Sequence, residues 1–275
     1  MTFLLTSRGF LKAGGDECGP SAPGRRGPSR SAGHERVPTY SEAVPPRTSR
    51  RLNRDVIVEA ALTVSRASAD GPGESPTGQA LGRELGVDRS AIWRHFADKD
   101  DLLLTVADAL SAETAHALRD LTDPVETLRV AWTTVIAAFT RHPTIGCQIG
   151  ERFVAGPNAL QVTERVLGAL AALGLDEDQA ALYYRVFIDI TLACASTRAR
   201  YLLLSEQERQ ADQLRTEMAI RALDHPDGAF ATVNLDLLTR VDPAIVDDLT
   251  FQTFIAGVTH RPPAGAGSAT TSPIS

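Results

Sequence analysis

Within the stretch Leu85–Leu102, LGVDRSAIWRHFADKDDL, Arg89, Ser90, Ala91, Trp93, His95 and Lys99 fall close together. Their chemistry is that of recognising a polyanion. A guanidinium matches the paired acceptors of a guanine edge through two parallel hydrogen bonds. Small residues such as Ser90 and Ala91 let a helix sit deep in a major groove. An indole N–H, an imidazole and an ammonium group each suit a phosphate oxygen. Bond-making chemistry lacks comparable support: no nucleophile–base pair and no metal-ligand spacing stands out. The segment GESPTGQA, residues 73–80, has the glycine spacing of a phosphate-binding loop. Gln79 occupies the place where that loop needs its lysine, and no strand precedes it. His142 and Cys147 flank a Pro–Gly joint but are too few to bind a metal, so a plain inter-helix loop is expected there. No catalytic residue, metal or cofactor is expected.

The recognition residues need a short, exposed helix held by its neighbours. GQALGREL forms one helix with Leu81 and Leu85 on one face, and Gly86 suits the left-handed position that ends it. Asp88 caps the next helix, expected over 89–96, whose narrow apolar stripe is Ile92 and Phe96. A helix so short is unstable alone and depends on packing. Upstream, Ile57, Ala60, Ala61 and Val64 recur at helical spacing and supply the supporting face. Asp98 caps a further helix, with Asp100 and Asp101 where the dipole favours carboxylates. Helix, glycine turn and short second helix make a helix-turn-helix pattern. The same pattern also arises from two ordinary packed core helices.

Charge divides the chain. Residues 1–99 hold 15 Lys and Arg against 11 Asp and Glu; the remainder holds 13 against 23. A basic front on an acidic body points to a polyanion partner for the first part only. Residues 1–48, rich in Gly, Pro, Ser and Arg, are expected to be a disordered basic tail, and 261–275 a second disordered tail. Three scattered cysteines, Cys18, Cys147 and Cys194, argue for a reducing compartment. No apolar run approaches a membrane span, and MTFLLTSRGFLKAGG makes a poor signal peptide. A cytoplasmic protein without a membrane partner is expected.

From residue 98 to 260 every periodic segment reads as helix, and the fold class expected is all-α. Val125, Leu128, Trp132, Val135, Ile136 and Phe139 form one stripe. Further helices are expected over 160–173, 177–204, 206–223 and 243–258. Trp132, Phe139, Tyr183 and Phe187 serve either as core or as the wall of a ligand cavity. Arg185 and Asp189, four residues apart, are either an ion pair or a polar anchor in that cavity. In the last helix, Leu249 and Ala256 share one stripe and Phe251, Phe254 and Val258 another. One stripe suits the core and the other a partner.

Residues 51–104 resemble the DNA-binding domain of the TetR family of bacterial transcriptional regulators, through IVEAAL and then LGRELGVDRSAIWRHFADKDDLL. The resemblance implies a three-helix DNA-binding domain over 49–97 and a helical ligand-binding and dimerisation domain over 98–260. Arg89, Ser90 and Ala91 match the family's base-reading positions. His95 and Lys99 match backbone-contacting ones, and Thr77 and Gln79 match positions that contact phosphate or base. Trp93 stands where the family usually has a phosphate-binding Tyr. Gly78 and Gly82 replace a larger apolar residue and Ala, at a cost of roughly 2 kcal/mol in that helix. The resemblance further implies a homodimer, joined through its last two long helices, on a near-palindromic DNA operator. Release by a small hydrophobic effector is implied, with Trp132, Phe139, Tyr183, Phe187 and Asp189 the cavity candidates. The rival readings are an all-α enzyme and an interaction protein with a vestigial DNA-binding face.

Overall fold

The computed structural model describes residues 51–68, 70–150, 152, 154–222, 234 and 239–260. The tails expected at 1–48 and 261–275 lie outside the described residues. Those described are helical, with no strand among them beyond an isolated bridge between Ser68 and Gly71.

Most helices start where a short polar side chain satisfies an orphan backbone N–H. Asn53 caps α1 (Arg54–Ser65), Thr77 caps α2 (Gly78–Leu85) and Asp88 caps α3 (Arg89–Ile92). Asp98 caps α4 (Lys99–Ala117), and Asp123 caps α5 (Pro124–Arg141), whose first residue is a proline with no N–H to lose. Then come α6 (Pro143–Ile149) and α7 (Pro157–Ala172). Reciprocal capping boxes open α8 (Glu177–Leu203) at Asp176 and Gln179, and α9 (Glu206–Arg221) at Ser205 and Glu208. Asp242 caps α10 (Pro243–Thr259).

Two segments differ from the sequence expectation. The recognition helix expected over 89–96 is α-helical only to Ile92. It then tightens into a turn in which His95 N–H reaches Ile92 O at 3.0 Å. The loop expected around His142 and Cys147 is α6. Pro143 presets its first turn, and Ile145 and Ile149, one turn apart, are both buried.

One apolar core runs through the described residues. Ile57, Ala61, Leu81, Ile92, Phe96, Leu102 and Val106 join α1–α4 at one end. Leu128, Trp132, Phe139, Ile145, Leu170, Phe187, Phe251 and Val258 join α5–α8 and α10 at the other. The helix α4 belongs to both groups, packing on α1 and on α5 and α7. By contrast α9 buries no residue.

Candidate nucleic-acid interface and ligand cavity

The turn between α2 and α3 is closed by Gly86, whose φ of +67° lies in the left-handed region that glycine enters without strain. Beyond it, Arg89, Ser90, Trp93, Arg94 and Lys99 are exposed, while Ala91 and His95 are half-buried. Thr77 and Gln79 are exposed at the start of α2. The Thr77 hydroxyl oxygen accepts from Ala80 N–H at 3.2 Å, which leaves its proton available to an outside acceptor.

The unusual pair Gly78 and Trp93 fits together. A Cβ at Gly78 would lie 2.9 Å from Trp93 Nε1. The indole therefore lies across the first residue of α2, beside Thr77 and Gln79, and remains 38% exposed. A larger residue at position 78 would push it away. Gly82 acts similarly: a Cβ there would meet Val87 O at 2.8 Å and Arg89 N at 3.4 Å. The two glycines that weaken α2 in isolation thus permit close approach of α3 and its indole.

Arg54 fixes this surface from behind. Its guanidinium donates to His95 O at 2.7 Å, to both carboxylate oxygens of Asp101 at 2.7 and 3.0 Å, and to Thr105 Oγ1 at 2.8 Å. It also stacks over the Phe96 ring, 4.2 Å from the centroid. The Arg54 hydrogen bonds, with help from Ala97 N–H, hold the Asp101 carboxyl down to about 2. One side chain from α1 thereby ties the end of the recognition turn to α4. Its spacing in sequence gives no sign of this, because its partners lie 41 to 51 residues away.

A second tie joins the loop after α1 to the α5–α6 junction. Ser65 Oγ donates to Ala61 O at 2.7 Å and so accepts from His142 Nδ1 at 3.0 Å. Burial, with Arg66 and Arg141 nearby, pushes the His142 imidazole down to about 4, so it is neutral at physiological pH. Ala67 N–H donates to Arg141 O at 2.7 Å, and Thr144 Oγ1 to Glu74 O at 3.3 Å.

Between α4, α5, α7 and α8 lies an apolar cavity of about 90 Å³. Leu110, Val135, Phe139, Val162, Phe187 and Ile188 supply much of its wall, and Thr163 and Tyr184 pair their hydroxyls across it at 2.8 Å. Phe139 and Phe187, two of the aromatic candidates, line it. The other three cavity candidates do not. Trp132 is core, with ring centroids 6.3 Å from Phe187 and 6.1 Å from Phe251, and it bounds a separate groove with Arg129, Arg198 and Asp247. Tyr183 turns outward to Phe254 and donates to Gly257 O at 3.3 Å, whereas its neighbour Tyr184 enters the cavity wall. Asp189 faces away from the cavity. Its side chain is 54% exposed and paired with Arg185 at 2.8 Å, because the 100° step per residue turns it away while Ile188 faces in.

The cavity wall is braced by a buried carboxylate that the sequence reading missed. Asp108 of α4 accepts from Ala159 N–H and from Asn158 Nδ2, both at 2.9 Å. It caps α7 from another helix, because Gly156 in the N-cap place has no side chain and a Cβ there would strike Asp108.

The stripes of α10 divide as the sequence allowed. Phe251, Phe254 and Val258 pack on α5 and α8, and Phe254 is only 7% exposed within its own chain. Ile245 and Leu249 lie outside, Leu249 62% exposed, as do Leu182 and Val186 on α8. Ion pairs hold α10 in place: Arg198 with Asp247 at 2.7 Å and Arg129 with Asp248 at 3.4 Å. Among the described residues no His, Cys, Asp and Glu group could hold a metal ion. No helix there is long and apolar enough to cross a membrane.

No family model matches the chain, and no curated protein matches it. Solved structures do. A TetR transcriptional regulator from Streptomyces coelicolor superposes with a TM-score of 0.59 at 22% identity, over 76% of this chain and 98% of its own. The Streptomyces coelicolor TetR family protein ActR, in complex with actinorhodin, gives 0.59 at 21% identity over 76% of this chain and 95% of its own. A third Streptomyces coelicolor structure, a transcription regulator, gives 0.56 at 26% identity over 78% and 98%.

Proposed function

The chain has the fold of the TetR-family transcriptional regulators, and on that premise we propose that it is a ligand-responsive, DNA-binding regulator acting as a homodimeric repressor. The observation that carries this reading is the single exposed surface formed by Arg89, Ser90, Trp93 and Lys99 with the start of α2, where Gly78 makes room for the indole. Arg89, with Ser90 and Ala91 beside it, reads base edges. Thr77, Gln79, Trp93, His95 and Lys99 hold phosphates and set the register. Residues 49–97 are the DNA-reading part and 98–260 the effector and dimer part of a cytoplasmic protein without enzymatic activity. Leu182, Val186, Ile245 and Leu249 form the dimer contact, whose two-fold symmetry is matched by a near-palindromic operator.

The cavity is the effector site. ActR, of the same fold, holds actinorhodin, which supports a small-molecule effector here. At about 90 Å³ the cavity is smaller than the roughly 300–1,000 Å³ of pockets that enclose drug-sized ligands. An effector therefore has to spread α4 from α7 and α8. Because α4 also carries Lys99 and Asp101, spreading it changes the setting of the recognition turn. The spread form holds the effector and the compact form holds DNA, and this difference in affinity is the source of coupling.

The test is competition binding of the full chain to DNA upstream of its own gene. The expected result is binding that survives excess unrelated duplex and is reversed by apolar compounds. Binding abolished equally by any duplex would refute the reading.

A further inference from the structure

The charge and hydrogen-bond state of the cavity wall says which kind of effector fits, provided that the cavity is the effector site. Its hydroxyls are largely committed. Tyr184 OH and Thr163 Oγ1 share one hydrogen bond, and Thr163 Oγ1 donates to Ala159 O at 3.0 Å, so the tyrosine proton goes to the threonine. Thr191 Oγ1 donates to Phe187 O at 2.6 Å, and Ser111 Oγ to Ala107 O at 3.2 Å. With these protons spent, a ligand oxygen that needs a donor would have to break one of these bonds, whereas the hydroxyl lone pairs remain open to a ligand O–H or N–H. Among the described residues no carboxylate lines the cavity, and a single charged side chain does: Arg152, between α6 and α7. Its Nη1 reaches Asp100 Oδ2 at 3.1 Å. That partner is 57% exposed and the contact is one-pronged, so the pair itself contributes little and can be exchanged at small cost.

We propose that the cavity takes an amphipathic anion, an apolar body carrying one carboxylate, and that the carboxylate takes Arg152 from Asp100. The apolar body fills the space between α4, α5, α7 and α8. The carboxylate stays at the mouth and receives two parallel N–H donors from a planar guanidinium, in a setting drier than that of Asp100. Cationic ligands are disfavoured by the same arginine. The exchange also has an output. Asp100 follows Lys99 at the start of α4. Its neighbour Asp101 is already held by Arg54, so Arg152 is the ion-pair partner that Asp100 loses. An unneutralised Asp100 beside Lys99 repels the phosphate that Lys99 is assigned to hold, and DNA is released by charge as well as by displacement of α4.

The test uses three probes of one shape on the full chain: 4-phenylbutyrate, 4-phenylbutan-1-ol and 4-phenylbutylamine, titrated by calorimetry. Wild type is expected to bind the carboxylate about tenfold more tightly than the alcohol and the amine least, as a charged hydrogen bond implies. Arg152→Gln is expected to remove that preference while still binding the alcohol, and Arg152→Lys to restore part of it. In Asp100→Asn the carboxylate preference should be kept or increased, because its competitor is gone. Equal binding of acid and alcohol by wild type, or a preference that survives Arg152→Gln, would overturn the proposal and leave the cavity's effector role standing. Binding of none of the three would overturn both. Failure of wild type to bind any DNA would instead refute the regulator reading, and a carboxylate preference through Arg152 would stand without it.

Discussion

Lowering the pH is expected to loosen the seat of α1 and the helices packed on it through His142. The imidazole is buried between α1 and α6, donates to Ser65, and lies near Arg66 and Arg141, which holds it down to about 4 when folded. In an unfolded chain it returns to about 6.5. The unfolded state therefore takes up a proton first. The contribution of this group is complete above pH 6.5 and declines as pH falls from there toward 4. With these two values, linkage gives a loss of about 2 kcal/mol between pH 7.5 and pH 5. Urea unfolding followed by far-ultraviolet circular dichroism at the two pH values reads this directly. With a slope of about 2–3 kcal/mol/M, the midpoint should fall by about 0.7–1 M. His142→Asn can still donate to Ser65 but does not titrate, so it isolates the effect of this residue. Its midpoint should be lower than wild type at pH 7.5 and change less on acidification. Equal acid sensitivity in the two proteins would refute the reasoning.

Gly78→Leu is expected to displace the Trp93 indole and weaken DNA binding about fivefold, the size of one lost hydrogen bond, with the circular dichroism unchanged. Adding Trp93→Tyr should restore much of it; an unaffected single variant would remove the indole from the interface. Leu249→Glu should leave a folded monomer by sedimentation. Phe254→Glu, a charge forced into the chain's own core, should lose helical signal. A folded, dimeric Leu249→Glu would take α10 out of the proposed contact. Asp108→Ala should cost about 1–2 kcal/mol in urea unfolding by removing the cap of α7. A wild-type midpoint would show that the cap is supplied otherwise.

What the sequence made legible were features carried by neighbouring residues. The caps Asp88 and Asp98, the turn at Gly86, the Ile92 and Phe96 stripe and the two faces of α10 all follow from spacings of a few residues. Features built from distant residues were not legible. Arg54 looks like any exposed arginine until Phe96, His95 and Asp101 are brought to it. Asp108 looks like a polar interruption of an apolar helix until Gly156 leaves the end of α7 bare. Residue type does not separate Tyr183 from Tyr184, which lines the cavity, or point to the distant Arg152, which lines it too. Helical phase separates the first two, and packing between distant segments selects the third. The glycines at 78 and 82 count as defects by propensity; their purpose is visible only with the indole and α3 beside them.

Selection of duplex DNA from a random-sequence library by the full chain tests the central claim most directly. The account expects enrichment of a near-palindromic site whose half-sites lie about one helical turn apart. Arg89→Ala should lose about 1–3 kcal/mol of discrimination at one base pair of each half-site. Lys99→Ala should weaken all sequences about equally and flatten the dependence on salt. A library that yields no common site, or two variants that bind the selected site like wild type, would contradict the assignment of this surface to DNA.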